Sequence, residues 1–377
     1  MRIGVPAETA AGETRVAATP ETVKKLVAQG HTVCVQAGAG IAASAIDEAY
    51  QAAGAQIVDA QTALGCELVL KVQSPDPGEL AAMKSGAALV GMLNPFDAEG
   101  LQRLADAGLT SFALEAAPRT TRAQSMDVLS SQANVAGYKA VMLAANQYQR
   151  LFPMLMTAAG TIKAARVVVL GVGVAGLQAI ATAKRLGAVI EASDVRPSVK
   201  EQVESLGGRF IDVPYETDEE KEAAEGVGGY ARPMPQSWLD RQKVEVAKRV
   251  AQADVVISTA LIPGRPAPVL ITEEMVQSMK PGSVIVDLAA GRGPEGVGGN
   301  CPLTEAGQTV QSHGVFIIGH TNLPALVAAD SSSLYARNIL DFLKLVLPPD
   351  TTEVQVPMDD DIVVACLMTQ SGKVLRA

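Results

Sequence analysis

The chain has 377 residues, of which 48% are hydrophobic and 34 are glycine, and it carries a net charge of −9 at pH 7. That length exceeds what one hydrophobic core usually serves, and so apolar a composition excludes disorder as the main state. The acidic balance, with no cluster of Lys and Arg, excludes a nucleic-acid footprint and leaves small molecules or proteins as the expected partners.

From residue 2 onward, short β-branched runs (RIGVP, TVCVQA, QIVDA, LVLKV, ALVGML, TSFAL) alternate with helical patterns. One of these, TPETVKKLVAQG, has Thr19 as candidate cap, Pro20 at its first turn and Gly30 as its stop. Such alternation predicts a parallel sheet with helices on both faces. The stretch PRTTRAQSMDVLSS, Pro118 to Ser131, holds two arginines, a glutamine, an aspartate and several hydroxyls, but no histidine, lysine, cysteine or glutamate. By position alone, Asp127 or Ser130 suits the N-terminus of a helix running into NVAGYKAVMLAANQY.

A second series (RVVVL, AVIEASD, RFIDV, DVVIST, SVIVDLA, VFIIGH) begins near Ala165 and predicts a second doubly wound unit. The charged, then glycine- and proline-rich segment ETDEEKEAAEGVGGYARPMPQ interrupts it as a long exposed excursion. After it, ALVAADSSSLYARNILDFLKLV is apolar-periodic and is expected to cross back, so that the C-terminus completes the first domain. The expected architecture is α/β: two doubly wound, Rossmann-like parallel-sheet domains with a cleft between them. The expected boundaries are residues 1–134 with 328–377 for the first and 135–327 for the second.

The most apolar run, Val167 to Ala183, is broken by three glycines, and the start MRIGVPAE lacks a signal-peptide pattern. A soluble chain without direct membrane insertion is expected. Cys34, Cys66, Cys301 and Cys366 lack metal or disulfide spacing and read as buried, reduced thiols of a cytoplasmic protein. His31, His313 and His320 read as structural, and no metal site is expected.

Gly171, Gly173 and Gly176 stand in G-x-G-x-x-G spacing directly after RVVVL and at the start of an apolar-periodic helix. In a dinucleotide site the first glycine makes the tight turn, the second admits the pyrophosphate and the third lets helix and strand pack. The helix N-terminus then offers N–H groups to phosphate. Asp194 closes the following strand, where a carboxylate can accept from ribose hydroxyls and disfavours a 2′-phosphate, so NAD(H) is expected over NADP(H). Arg196 reads as solvated or pyrophosphate-facing, with acceptance of a 2′-phosphate as the other possibility.

Set beside GVPAETAAGETRVAATPETVKKLVAQG, GVGVAGLQA, SMDVLSSQANVAGYKAV and VIVDLAAGRG, nearly the whole chain resembles the alanine dehydrogenase and nicotinamide nucleotide transhydrogenase family. It is most similar to the transhydrogenase branch. There, a soluble NAD(H)-binding component works with an NADP(H)-binding component and a membrane-spanning component, and hydride transfer is coupled to proton translocation. The resemblance implies a homodimer, cytoplasmic and peripheral on the inner membrane through those partners. Gly12 departs from the asparagine usual in the family's N-terminal signature.

Alanine dehydrogenases share Arg15 and Lys71, which hold a substrate carboxylate. They carry a histidine where this chain has Asn94 and an aspartate near Ala290 and Gly291. Reducing a keto acid requires a proton carrier, whereas passing hydride between two nicotinamide C4 atoms does not. The resemblance therefore assigns Arg119, Gln124, Asp127 and Ser130 to the nicotinamide end of NADH, and Gly229 and Tyr230 to a loop closing over it. Val174, Ala175, Val195, Ala260 and Leu261 would line the nucleotide. A stand-alone amino-acid dehydrogenase and a non-catalytic NAD-binding regulator are the alternative readings.

Overall fold

The computed structural model describes residues 1–225, 234–262, 264–348 and 351–376. The chain divides into two compact units, Met1–Gln132 with Pro324–Ala377, and Ala133–Leu323.

The first unit is built on an eight-stranded sheet ordered Lys373–Val374, Leu367–Gln370, Thr110–Ala113, Ala88–Met92, Leu68–Gln73, Arg2–Val5, Thr32–Gln36, Gln56–Val58. The six N-terminal strands are parallel and follow the 3-2-1-4-5-6 order of a doubly wound fold, while Leu367–Gln370 joins antiparallel to Thr110–Ala113 and Lys373–Val374 antiparallel to Leu367–Gln370. Their β-branched runs are buried because helices cover both faces of such a sheet. The helix Pro20–Ala28 has Pro20 in its first turn, buries Thr22, Val23 and Leu26, and is followed by Gly30 at φ +86°. The long helix Ala328–Val346 returns across this unit, packing Phe342 against Phe112 with ring centroids 5.4 Å apart and the rings tilted by 59°. Its Tyr335 hydroxyl donates to the Lys71 carbonyl at 2.8 Å. At the C-terminal edge the Ser111 and Thr369 hydroxyls share a buried hydrogen bond of 2.6 Å.

The second unit repeats the plan. Its sheet runs Arg209–Phe210, Val189–Ser193, Arg166–Leu170, Val255–Ser258, Val284–Asp287, Val315–Ile318, with Thr309–Ser312 antiparallel at the edge. Every run picked out in the sequence forms a strand, though RFIDV yields only Arg209–Phe210. Two hairpins were not anticipated. Thr309–Ser312 and Val315–Ile318 are joined by His313 and Gly314, both at positive φ as a two-residue turn requires. Leu155–Thr157 and Gly160–Ile162 form an isolated two-stranded ribbon, exposed at every residue. Among the described residues no helix is long and apolar enough to cross a membrane.

Candidate functional site

The glycine turn lies where the strand order of the second unit reverses, between Arg166–Leu170 and Val255–Ser258, the place where open α/β sheets bind ligands. Gly171 has φ +90°, and a Cβ there would meet Thr259 Oγ1 at 2.8 Å and Ala260 N at 3.1 Å. Gly176 lies under the turn, where a Cβ would stand 2.0 Å from the Gly171 carbonyl oxygen. Gly173 caps the helix Val174–Arg185 with ordinary φ, and a Cβ on it would meet nothing within 4 Å. Among the described residues no atom explains the glycine at 173, whose open face leaves room for a ligand to approach the helix N-terminus.

The wall beside this turn is fastened by residues carrying no local signature. Thr259 Oγ1 donates to the Gly171 carbonyl at 2.8 Å. Buried Asn300 accepts from Ala260 N at 3.1 Å and donates to the carbonyls of Ala260 and Pro268, each at 2.8 Å. Gly137 lets the helix Val128–Gln147 abut the first turn of Val174–Arg185, since a Cβ there would stand 2.1 Å from the Ala175 carbonyl oxygen. Asn300 lies 40 residues from Ala260, so only pairing across the fold reveals it. Val174 and Leu261 are exposed, and Ala175 and Ala260 are half-buried. Val195 packs with a small cluster of Val213, Tyr215 and Trp238.

Asp194 ends the strand Val189–Ser193 and accepts from Val172 N at 2.7 Å, which ties it to the glycine turn. The Arg196 guanidinium forms a two-pronged pair with Asp194, Nε to Oδ1 at 2.9 Å and Nη2 to Oδ2 at 3.0 Å. The spacing D-x-R allows this because one intervening residue returns the side chain onto the carboxylate.

In the first unit, the loop ahead of the helix Val128–Gln147 is held at several points. Ala123 and Met126 are buried, and the Asn338 side chain donates to the Ser125 carbonyl at 2.7 Å. Arg122 makes a forked pair with Asp360, at 2.7 and 2.8 Å, and also reaches Asp361. Asp127 caps the helix, accepting from Ser130 N at 2.9 Å and from Ser130 Oγ at 2.5 Å. Arg119 and Gln124 are exposed, and Asp127 and Ser130 half-buried. Gly229 and Tyr230 lie outside the described residues.

The switch point of the first unit, between Arg2–Val5 and Leu68–Gln73, is filled by its own charges. Arg15 grips Glu13 with contacts of 2.8 and 2.6 Å and donates to Gln132 Oε1 at 2.7 Å. Lys71 Nζ stands 2.7 Å from Glu79 and 3.3 Å from Glu8. Burial raises the Glu13 carboxyl, but the hydrogen bonds and charge of Arg15 outweigh it and hold it at about 2. Glu8 is pushed up by burial, against the pull of Lys71. Both cations are almost fully covered and already paired. Nearby, Asn94 has φ +54° and its N–H donates to Glu115 at 2.7 Å.

All four cysteines are buried free thiols, and burial pushes Cys66 and Cys366 up to about 12 and Cys301 to about 11. Such thiols are inert at neutral pH. His313 lies 3.3 Å from Glu273 on the surface. Among the described residues no three metal-binding side chains gather.

The comparisons with known proteins agree with this geometry. Residues 4–136 match the family model "Alanine dehydrogenase/PNT, N-terminal domain", and residues 140–377 match "Alanine dehydrogenase/PNT, C-terminal domain". The chain is 50% identical over 384 residues to the first part of NAD(P) transhydrogenase subunit alpha of Rhodospirillum rubrum, covering 100% of this chain and 98% of that one. It is 32% identical over 337 residues to alanine dehydrogenase of Bacillus subtilis, covering 88% and 82%. The solved transhydrogenase of Sinorhizobium meliloti superposes with a TM-score of 0.89 at 45% identity, each chain fully covered. By these matches along both halves, the chain belongs to the alanine dehydrogenase/PNT family.

Proposed function

We propose that this chain is the NAD(H)-binding component of a proton-translocating transhydrogenase. NADH is its substrate, held by the glycine turn of the second unit. Hydride leaves C4 of the dihydronicotinamide, taking both electrons of the C–H bond, and arrives at C4 of the nicotinamide of NADP⁺ on a partner subunit. No proton moves at the reacting centre, so positioning and electrostatic support suffice. Arg119, Gln124, Asp127 and Ser130, with Tyr230, are the groups proposed at the nicotinamide end. The turn, Asp194, Val195, Gly229, Ala260 and Leu261 are proposed to hold the rest of the dinucleotide, with Arg196 beside its adenosine ribose. A membrane-spanning partner would couple the transfer to proton movement, with this chain a cytoplasmic homodimer peripheral to the membrane.

The observation that favours this over an amino-acid dehydrogenase is the closed state of Arg15 and Lys71. A keto-acid carboxylate would have to displace Glu13 from Arg15, or Glu79 from Lys71. Leaving a buried partner unpaired costs about 3–5 kcal/mol. Positions 94, 290 and 291 also carry no proton carrier, being Asn, Ala and Gly. To test the reading, NADH oxidation is followed with an NADP⁺ analogue, first with this chain alone and then with an NADP(H)-binding component added. The expected result is turnover only in the second case. Turnover by the chain alone with pyruvate and ammonium would assign it to the amino-acid dehydrogenases.

A further inference from the structure

The Asp194 carboxylate accepts four hydrogen bonds. Oδ2 takes Val172 N at 2.7 Å and Arg196 Nη2 at 3.0 Å, and Oδ1 takes Arg196 N and Arg196 Nε, both at 2.9 Å. A carboxylate offers about four lone-pair positions, so a hydroxyl donor finds none open. Two of the four donors are backbone N–H groups at the strand end and the glycine turn, fixed by the fold. The other two belong to one side chain, which is 26% exposed and whose Nη2 also reaches the Val172 carbonyl at 3.2 Å.

Resting on the NAD(H)-binding reading above, we infer that Arg196 is a specificity-determining residue that competes with the nucleotide's ribose for Asp194. A ribose diol gains its acceptor only when the guanidinium swings away, and the two backbone N–H bonds keep the carboxylate in place during the exchange. Two consequences follow. Apparent affinity is lowered by the fraction of molecules in which Arg196 is released. Discrimination against a 2′-phosphate is also weaker than a bare carboxylate would give, because the paired Asp194 is charge-compensated and the displaced guanidinium stays within reach. Arg196 thereby sets both how tightly and how selectively the adenosine end is held.

The test is calorimetric titration of the full chain with NADH and with NADPH, for the native protein, Arg196→Met, Asp194→Asn and the double variant. Arg196→Met keeps an apolar stem and is expected to tighten NADH binding about five- to tenfold by removing the competitor, while widening the gap to NADPH. In the Asp194→Asn background the same change should alter NADH binding by no more than about twofold, since the two residues act through each other. Weaker or unchanged NADH binding by Arg196→Met overturns the inference, as does a gain that persists without Asp194. Should the Met variant lose its native circular dichroism, Arg196→Lys serves in its place. It keeps the charge but lacks the fork, so tighter NADH binding than native is expected, and native or weaker binding is overturning. Absence of NADH binding in the folded native protein and in every variant would instead reject the NAD(H)-binding reading itself.

Discussion

Gly173 and Gly176 sit three residues apart and answer to different constraints. A Cβ at 176 would lie 2.0 Å from backbone, whereas one at 173 meets nothing within 4 Å. Gly176→Ala is therefore expected to destabilise the chain by about 1–3 kcal/mol through overpacking. Gly173→Ala should stay within about 0.5 kcal/mol of native stability yet weaken NADH binding at least about tenfold, because the methyl group enters only the ligand's space. Urea unfolding and an NADH titration on both variants separate the two effects. Glu115 is the residue the sequence did not flag. Burial pushes its carboxyl up to about 7 from an ordinary 4.5, against backbone hydrogen bonds that include Asn94 N–H, and its Oε2 has no hydrogen-bond partner among the described residues. A carboxyl raised on folding favours the folded state while protonated, so its penalty is absent below pH 4.5 and complete above pH 7. The native protein should lose about 2–3 kcal/mol relative to Glu115→Gln between pH 5 and pH 8, measured by denaturant unfolding of both across that range.

At the scale of elements, the loop Pro118 to Ser131 holds Asp127 as a helix cap, and a second duty proposed for it can be tested apart from the first. The cap reading of Asp127 was legible from D-x-x-S ahead of an apolar-periodic run, and both carboxylate oxygens do bind Ser130. Asparagine is as good a cap as aspartate, so Asp127→Asn should leave stability nearly native, whereas Asp127→Ala should cost about 1 kcal/mol. If Asp127 also positions the nicotinamide, both variants will slow hydride transfer in a reconstituted complex far more than they weaken NADH binding. Loss of rate in proportion to binding would leave Asp127 as a cap alone. What anchors the loop from the other side was not legible. Asn338, Asp360 and Asp361 lie more than 200 residues away along the chain, and no local pattern pairs them with Ser125 or Arg122.

The two units share one strand order, and they differ in what occupies the switch point. In the second it holds a glycine turn, and in the first a buried network of Arg15, Lys71 and four acceptor side chains, Glu8, Glu13, Glu79 and Gln132. The chain is therefore expected to bind one NADH, not two, per polypeptide, with calorimetric stoichiometry as the measure; a value near two would mean the first unit's network opens to ligand. The sequence by itself determined the strand-helix rhythm of both units and the turn 171–176, because each is a local pattern of spacing or residue type, while the significance of Asn94, Ala290 and Gly291 came only from the family resemblance. It did not carry the pairing of Arg196 with Asp194, the grip of Asn300 on Ala260 or the neutralisation of Arg15 and Lys71. Asn300 and Lys71 depend on partners distant along the chain, and the short-range pairs of Arg196 and Arg15 depend on the rotamers that packing imposes and on how far water is excluded, which only the tertiary structure decides.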